Sequence, residues 1–124
     1  MSALGWLAFV IAGAAGAVSR YRVDAWVRTR SSRPFPAGTL LINVTGSFVL
    51  GVITGLALYH GLASTPKLVT GTGFCGAYTT FSTFTFEAIS LSDDGTAAIA
   101  ARYVLLSVVL GSAAAALGLA LTAL

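Results

Sequence analysis

The chain has 124 residues, of which 56% are apolar and 9% charged, against roughly 25% charged in a soluble domain. This excludes an ordinary soluble globule and implies one integral membrane domain over residues 1–124, with room for four spans of roughly 20 residues and short links. The net charge of +3 is uneven, because five of the seven basic residues lie between Arg20 and Arg33, a bias that suits an anionic membrane surface rather than nucleic acid.

The first predicted span runs from about Leu4 to Val18, short for a bilayer unless Ser19, Arg20 and Tyr21 prolong it with the arginine snorkelling outward. No basic flank precedes it, so it reads as part of the mature protein rather than a leader. Its run Gly13-Ala14-Ala15-Gly16-Ala17 leaves little side chain to hold a neighbouring helix away. From Arg22 to Pro36, Trp26 mixes with Arg28, Arg30 and Arg33, which suits a stretch lying in the headgroup layer.

The second span, about Gly38 to Leu58, contains an i, i+4 row of small or polar residues: Thr39, Asn43, Ser47, Gly51 and Gly55. Such a row is a slanting ridge, and its lower part, Ser47 to Gly55, reads as a helix contact of the small-xxx-small type. Asn43 differs, because an amide inside a bilayer must be satisfied either by a neighbouring helix or by a polar path.

The third span, Lys67 to about Ile89, holds GTGFCGAYTTFSTFTFE from Gly71 to Glu87. Thr72, Thr79, Thr80, Ser82 and Thr83 stand where a lipid-facing helix favours leucine. Backbone or side chains of this kind are tolerated at membrane depth where protein buries them or a polar pathway runs past. Helix propensity is poor around Gly73, Gly76, Tyr78, Thr79 and Thr80, which predicts a break. The link Ser90 to Gly95, with Asp93 and Asp94, reads as a turn, and the fourth span, about Thr96 to Leu121, repeats a small and hydroxyl-bearing row, Tyr103, Ser107, Gly111 and Ala115.

Enzyme chemistry finds no support. There is one histidine, His60, in a link, and one cysteine, Cys75, among small residues that make it a packing side chain. A metal site of side-chain ligands is equally unsupported, since these and the acids are scattered. Phe81 and Phe84 are more informative. They lie among hydroxyls, and an aromatic ring has a positive edge that attracts an anion without a fixed charge. Asn43, Ser82, Thr83, Tyr103 and Ser107 add uncharged donors, which replace an anion's hydration without the deep well of a cation.

GTLLINVTGSFVLG (Gly38 to Gly51) and TGFCGAYTTFSTFTFE (Thr72 to Glu87), with a glycine-rich first span ending in Ser19-Arg20-Tyr21, resemble the Fluc (CrcB) family of fluoride-specific ion channels across all four spans. The family's glycine pair is Gly76-Ala77 here. The resemblance implies an all-α membrane protein with four transmembrane helices per chain and a broken third helix. It also implies an antiparallel, dual-topology dimer with two pores in the cell's inner (plasma) membrane, exporting fluoride to relieve its toxicity. Asn43 becomes the pore amide, and Phe81 and Phe84 the paired rings. Thr83, Glu87, Tyr103 and Ser107 join the polar track, and Arg20 stands near a pore mouth. The backbone carbonyls of Gly76 and Thr79 would hold a central structural sodium ion.

Two other readings compete. A proton-coupled small multidrug exporter also has four short spans, but needs a carboxylate in mid-membrane; the first span has none and Glu87 lies near an end of the third. A non-transporting assembly subunit would explain the small-residue ridges but give Asn43 and the hydroxyls no purpose. Orientation is a separate matter. Five arginines flank the first link and Lys67 the second, so the positive-inside rule places the first link in the cytoplasm and both termini outside. An antiparallel dimer then needs either a complementary homologous chain or insertion of this chain both ways. The second is favoured, since one chain contains every pore element. Cysteine labelling at a C-terminal tag from each side of intact membranes tests this: labelling from both sides is expected, and labelling from one side alone rules out the homodimer.

Overall fold

The computed structural model describes the whole chain, Met1–Leu124, as helices without strands. Helix α1 (Ala3–Arg28) starts at Ser2, whose hydroxyl accepts the Gly5 N–H at 3.1 Å, a side-chain N-cap. It continues well past the predicted end of the first span, so the first part of the segment assigned to the headgroup layer, Arg22–Arg28, is one with the span itself. The physical reason is that residues 19–33 contain neither glycine nor proline. Arg28 Nε also pairs with Asp24 Oδ2 one turn earlier at 2.8 Å, the i, i+4 spacing that supports a helix. Just beyond the end, the Arg30 guanidinium lies 4.3 Å from the Trp26 ring centre.

Helix α2 (Ala37–Tyr59) matches its predicted span to within a residue at each end. The third segment starts at α3 (Ser64–Lys67), widens into eight residues of π-helix (π1, Leu68–Cys75) and closes with one turn, α4 (Gly76–Tyr78). There the chain leaves helical geometry: Thr79 is extended, with φ −77° and ψ 164°. Helix α5 (Ser82–Asp93) follows. Gly95, at φ 80°, closes α5 by donating to the Ser92 carbonyl while Thr96 donates to that of Leu91, at 3.2 and 3.0 Å. This paired left-handed cap requires the freedom of glycine and turns the chain into α6 (Ala97–Leu121).

Two small-residue seams set the packing. The row on α2 meets the row on α6: Gly51 lies against the Ala115 backbone, and a side chain at Gly118 would collide with the Phe48 carbonyl and meet Val52 N at 2.9 Å. On the other side, α1 packs on π1 and α4, with Gly16 against the Phe74 carbonyl and Gly73 against Phe9. Helices in lipid gain little from burying apolar side chains against each other, so close backbone approach through small residues is what holds them.

Only 16 of 124 residues are buried in the single chain, and large apolar side chains such as Leu4, Trp6, Leu7, Ile11, Leu105 and Val109 point outward. Helices α1, α2 and α6 are long and apolar enough to cross a bilayer; this is a membrane protein. Tyr103, with no exposed surface, centres the small interior with Leu91 and Ala100, packed by Phe35, Leu40 and Phe84. Gly118→Val should separate α2 from α6 and lower stability by about 1–3 kcal/mol or more, the usual cost of overpacking. A melting temperature and monodisperse yield equal to wild type would contradict this packing account.

Candidate functional site

The interruption between Tyr78 and Ser82 removes i, i+4 partners from the carbonyls of the last helical turn, and three side chains occupy the gap. Asn43, on α2, reaches the extended segment and pairs with the backbone of Thr80 in both directions. Its Nδ2 donates to the Thr80 carbonyl at 2.8 Å and its Oδ1 accepts the Thr80 N–H at 2.9 Å. The two alternatives for this amide are therefore combined: it binds a neighbouring segment and keeps one N–H over. The Thr80 hydroxyl accepts the Thr83 N–H at 3.1 Å and donates to the Thr83 hydroxyl at 3.1 Å. The Thr80 hydroxyl thus satisfies an N–H of the first turn of α5, a role that the Thr80-x-x-Thr83 spacing signals and that the sequence reading did not assign. Thr79 bonds back to the Cys75 carbonyl through both its N–H, at 2.9 Å, and its hydroxyl, at 2.8 Å.

The carbonyls of Gly76 and Thr79 are left in an unusual state. In an unbroken helix they would accept from Thr80 N–H and Thr83 N–H, and these are the two donors diverted to Asn43 and to the Thr80 hydroxyl. Gly76 is exposed, with nothing within 4 Å of where a side chain would be. The Thr79 carbonyl accepts from Arg20 Nη1 at 3.3 Å, a long contact that leaves its second lone pair open. Arg20 lies partly buried against this turn, well inside the longer α1 rather than at its end. Two neutral oxygens with open lone pairs suit a monovalent cation, so the residues fit the sodium set; the nearby guanidinium is the one feature that weakens it.

Asn43, Thr79, Thr80, Phe81, Phe84 and Ser107 line one open groove of about 370 Å³, and no charged side chain lines it. The rings of Phe81 and Phe84 stand 6.0 Å apart at 41°. Phe81 is 77% exposed, so much of its ring edge faces outward from this chain. Phe84 leans on Tyr103 at 5.2 Å. The Tyr103 hydroxyl donates to Glu87 Oε2 at 2.9 Å, and the Ser107 hydroxyl donates to its own helix at the Tyr103 carbonyl, 2.7 Å away. In this arrangement the Tyr103 and Ser107 protons are already committed. Thr83 accepts from Thr80 and keeps its own proton to donate.

Glu87 lines a second cavity, of about 300 Å³, with Asp24, Arg28 and Arg33 near its rim. Arg20 and Thr83 line a third, of about 190 Å³. Of the residues singled out in the sequence, Asn43, Phe81, Phe84, Thr79 and Ser107 share one groove; Glu87, Arg20 and Thr83 lie around it, and Tyr103 lies beneath.

Comparison with known proteins gives a consistent result. The family model described as CrcB-like protein, camphor resistance (CrcB), matches residues 7–119. The chain is 53% identical over 92 residues, covering 74% of this chain and 67% of the relative, to the fluoride-specific ion channel FluC 1 of Leifsonia xyli subsp. xyli. It is 46% identical over 113 residues to FluC 2 of Mycobacterium tuberculosis strain H37Rv, covering 91% and 86% of the two chains. With FluC 1 of Symbiobacterium thermophilum it shares 46% identity over 123 residues, 95% of this chain and 97% of the relative.

Tyr103→Phe isolates the buried hydrogen bond, because it keeps the ring contacts with Phe35 and Phe84 and removes only the hydroxyl that meets Glu87. Polar contacts within membranes average about 0.6 kcal/mol, so a small loss of thermal stability with intact helicity is expected. A collapse of the fold would show that Tyr103 does more than bridge Phe84 and Glu87.

Proposed function

The chain belongs to the CrcB family, whose relatives are named as ion channels and not enzymes, and on that footing we propose that it conducts fluoride passively out of the cytoplasm. One observation carries the proposal: a groove without charge in which an amide, two aromatic rings and hydroxyls converge. A small anion loses its water at such a place only if donors replace it at each step, and only if none binds so strongly that the ion stays. The remaining Asn43 N–H, the ring edges of Phe81 and Phe84 and the Thr83 hydroxyl meet both conditions. Tyr103 and Ser107 join the track by turning their hydroxyl protons away from their present acceptors. Glu87 orients the Tyr103 hydroxyl, and Arg20 sets a positive field beside the pathway.

The groove is open on one side, and the outward-facing Phe81 needs cover in lipid or protein. An antiparallel copy of this chain, or a homologous partner, supplies that cover and makes two pathways. The protein then sits in the inner, or plasma, membrane. In such a dimer the Gly76 and Thr79 carbonyls of two chains would hold one sodium ion, which supplies a fixed positive charge where the backbone is interrupted.

Fluoride efflux from liposomes tests the assignment of residues. Phe81→Ile and Phe84→Ile keep apolar bulk but remove the positive ring edge, and should assemble yet conduct poorly. Asn43→Asp places a negative charge in the anion's path and should be essentially inactive. Leu117→Ile, on α6 away from the groove, should conduct as wild type. Wild-type efflux by Asn43→Asp would refute the pathway.

A further inference from the structure

We propose that Asn43 is a positioning residue for the backbone cation site: by capturing the Thr80 N–H it keeps the third segment from closing into one helix and so holds the Gly76 carbonyl free. The inference rests on the cation reading above but concerns a different residue, one that offers no oxygen to the ion. Its basis is a competition for one proton donor. In a continuous helix the Thr80 N–H belongs to Gly76. Here it goes to Asn43 Oδ1 at 2.9 Å, and the same amide secures the other side of the residue by donating to the Thr80 carbonyl at 2.8 Å. A planar group that both donates and accepts pairs with an extended residue as a neighbouring strand would, and Thr79 is extended, at ψ 164°.

No other side chain stands ready to do this. Arg20 has donors only and touches the Thr79 carbonyl. The Thr80 hydroxyl serves Thr83. The seam between α2 and α6 and the contact of Gly46 with Thr79 and Tyr78 fix the distance from α2 to the interruption, so the length of the asparagine side chain matters. Without the amide, the N–H has one satisfactory acceptor left inside the bilayer, the Gly76 carbonyl. Reclosure would then remove a ligand from the site.

Proline offers an independent way to hold the interruption. It has no N–H, so Gly76 cannot recapture one, and it forces the preceding residue into the extended region that Thr79 already occupies. The test is sodium-dependent thermal stabilisation of the purified protein in detergent, with sodium titrated against N-methylglucamine. No fluoride flux is needed. Asn43→Ala is expected to weaken the apparent sodium affinity by about 10–100-fold, the usual cost of losing a residue that orients a metal ligand, whereas retention within about twofold overturns the proposal. Asn43→Ala/Thr80→Pro should recover the response, and Thr80→Pro alone should keep it.

If Asn43→Ala fails to assemble, recovery of assembly and of the sodium response in the double variant supports the same conclusion. A double variant no better than Asn43→Ala, beside a Thr80→Pro protein that responds, overturns it. If Thr80→Pro alone loses the response, its missing hydroxyl has freed the Thr83 N–H to return to the Thr79 carbonyl, and the comparison of Asn43→Ala with wild type decides the proposal. A wild-type protein indifferent to sodium would remove the cation reading itself, an outcome distinct from a wild-type response that Asn43→Ala retains.

Discussion

In a bilayer no water is available to satisfy a backbone group that has lost its helix partner, and the rest of this structure depends on how that constraint is met between Tyr78 and Ser82. Each unsatisfied group in hydrocarbon costs several kcal/mol. The interruption persists because its groups have acquired specific partners. Asn43 binds Thr80 on both sides, the Thr80 hydroxyl accepts the Thr83 N–H, and Arg20 meets the Thr79 carbonyl. What remains open is polar but neutral, and Thr79 lines a groove that two aromatic rings border. Local chemistry that disfavours a helix has thereby left neutral polar atoms open at the interruption.

The glycine seams are the other half of the design. Asn43 reaches Thr80 only because Gly46 lets Thr79 and Tyr78 come close to α2, and α2 itself is held by its glycine contacts with α6. The contact of Gly16 with Phe74 places α1, and with it Arg20, against the same turn. Apolar side chains do little to hold helices together in lipid, so they are free to face outward, as many do here. Position, rather than burial, is what the small residues contribute.

Much of this was legible in the sequence. The ridge from Ser47 to Gly55 and the small face from Tyr103 to Ala115 were visible, although only the structure joins them into the seam between α2 and α6, and the mixture of hydroxyls and rings after Gly76 marked the groove. Other features were not. The end of α1 was placed too early because basic and aromatic residues resemble a headgroup-layer segment; whether such a segment continues a helix depends on pairings such as Asp24 with Arg28, which composition does not reveal. The π winding of Leu68–Cys75 occurs where glycine-rich backbone packs on α1, a tertiary setting that sequence alone does not display. The partner of Asn43 was hidden for the same reason, since Thr80 is 37 residues away; a lone amide in a span announces a need for partners but not their identity. The family resemblance supplied the pore assignment, whereas the geometry supplies what the Asn43 amide meets at the interruption, the N–H and the carbonyl of Thr80.

The central claim is that neutral donors around this interruption conduct fluoride. Purified wild-type protein in sodium-containing liposomes loaded with fluoride and chloride, followed by ion-selective electrodes after the membrane potential is released, tests it most directly. The account predicts prompt loss of fluoride with chloride retained. Fluoride held as firmly as in protein-free liposomes, with proton-driven uptake of a cationic drug in its place, would contradict it.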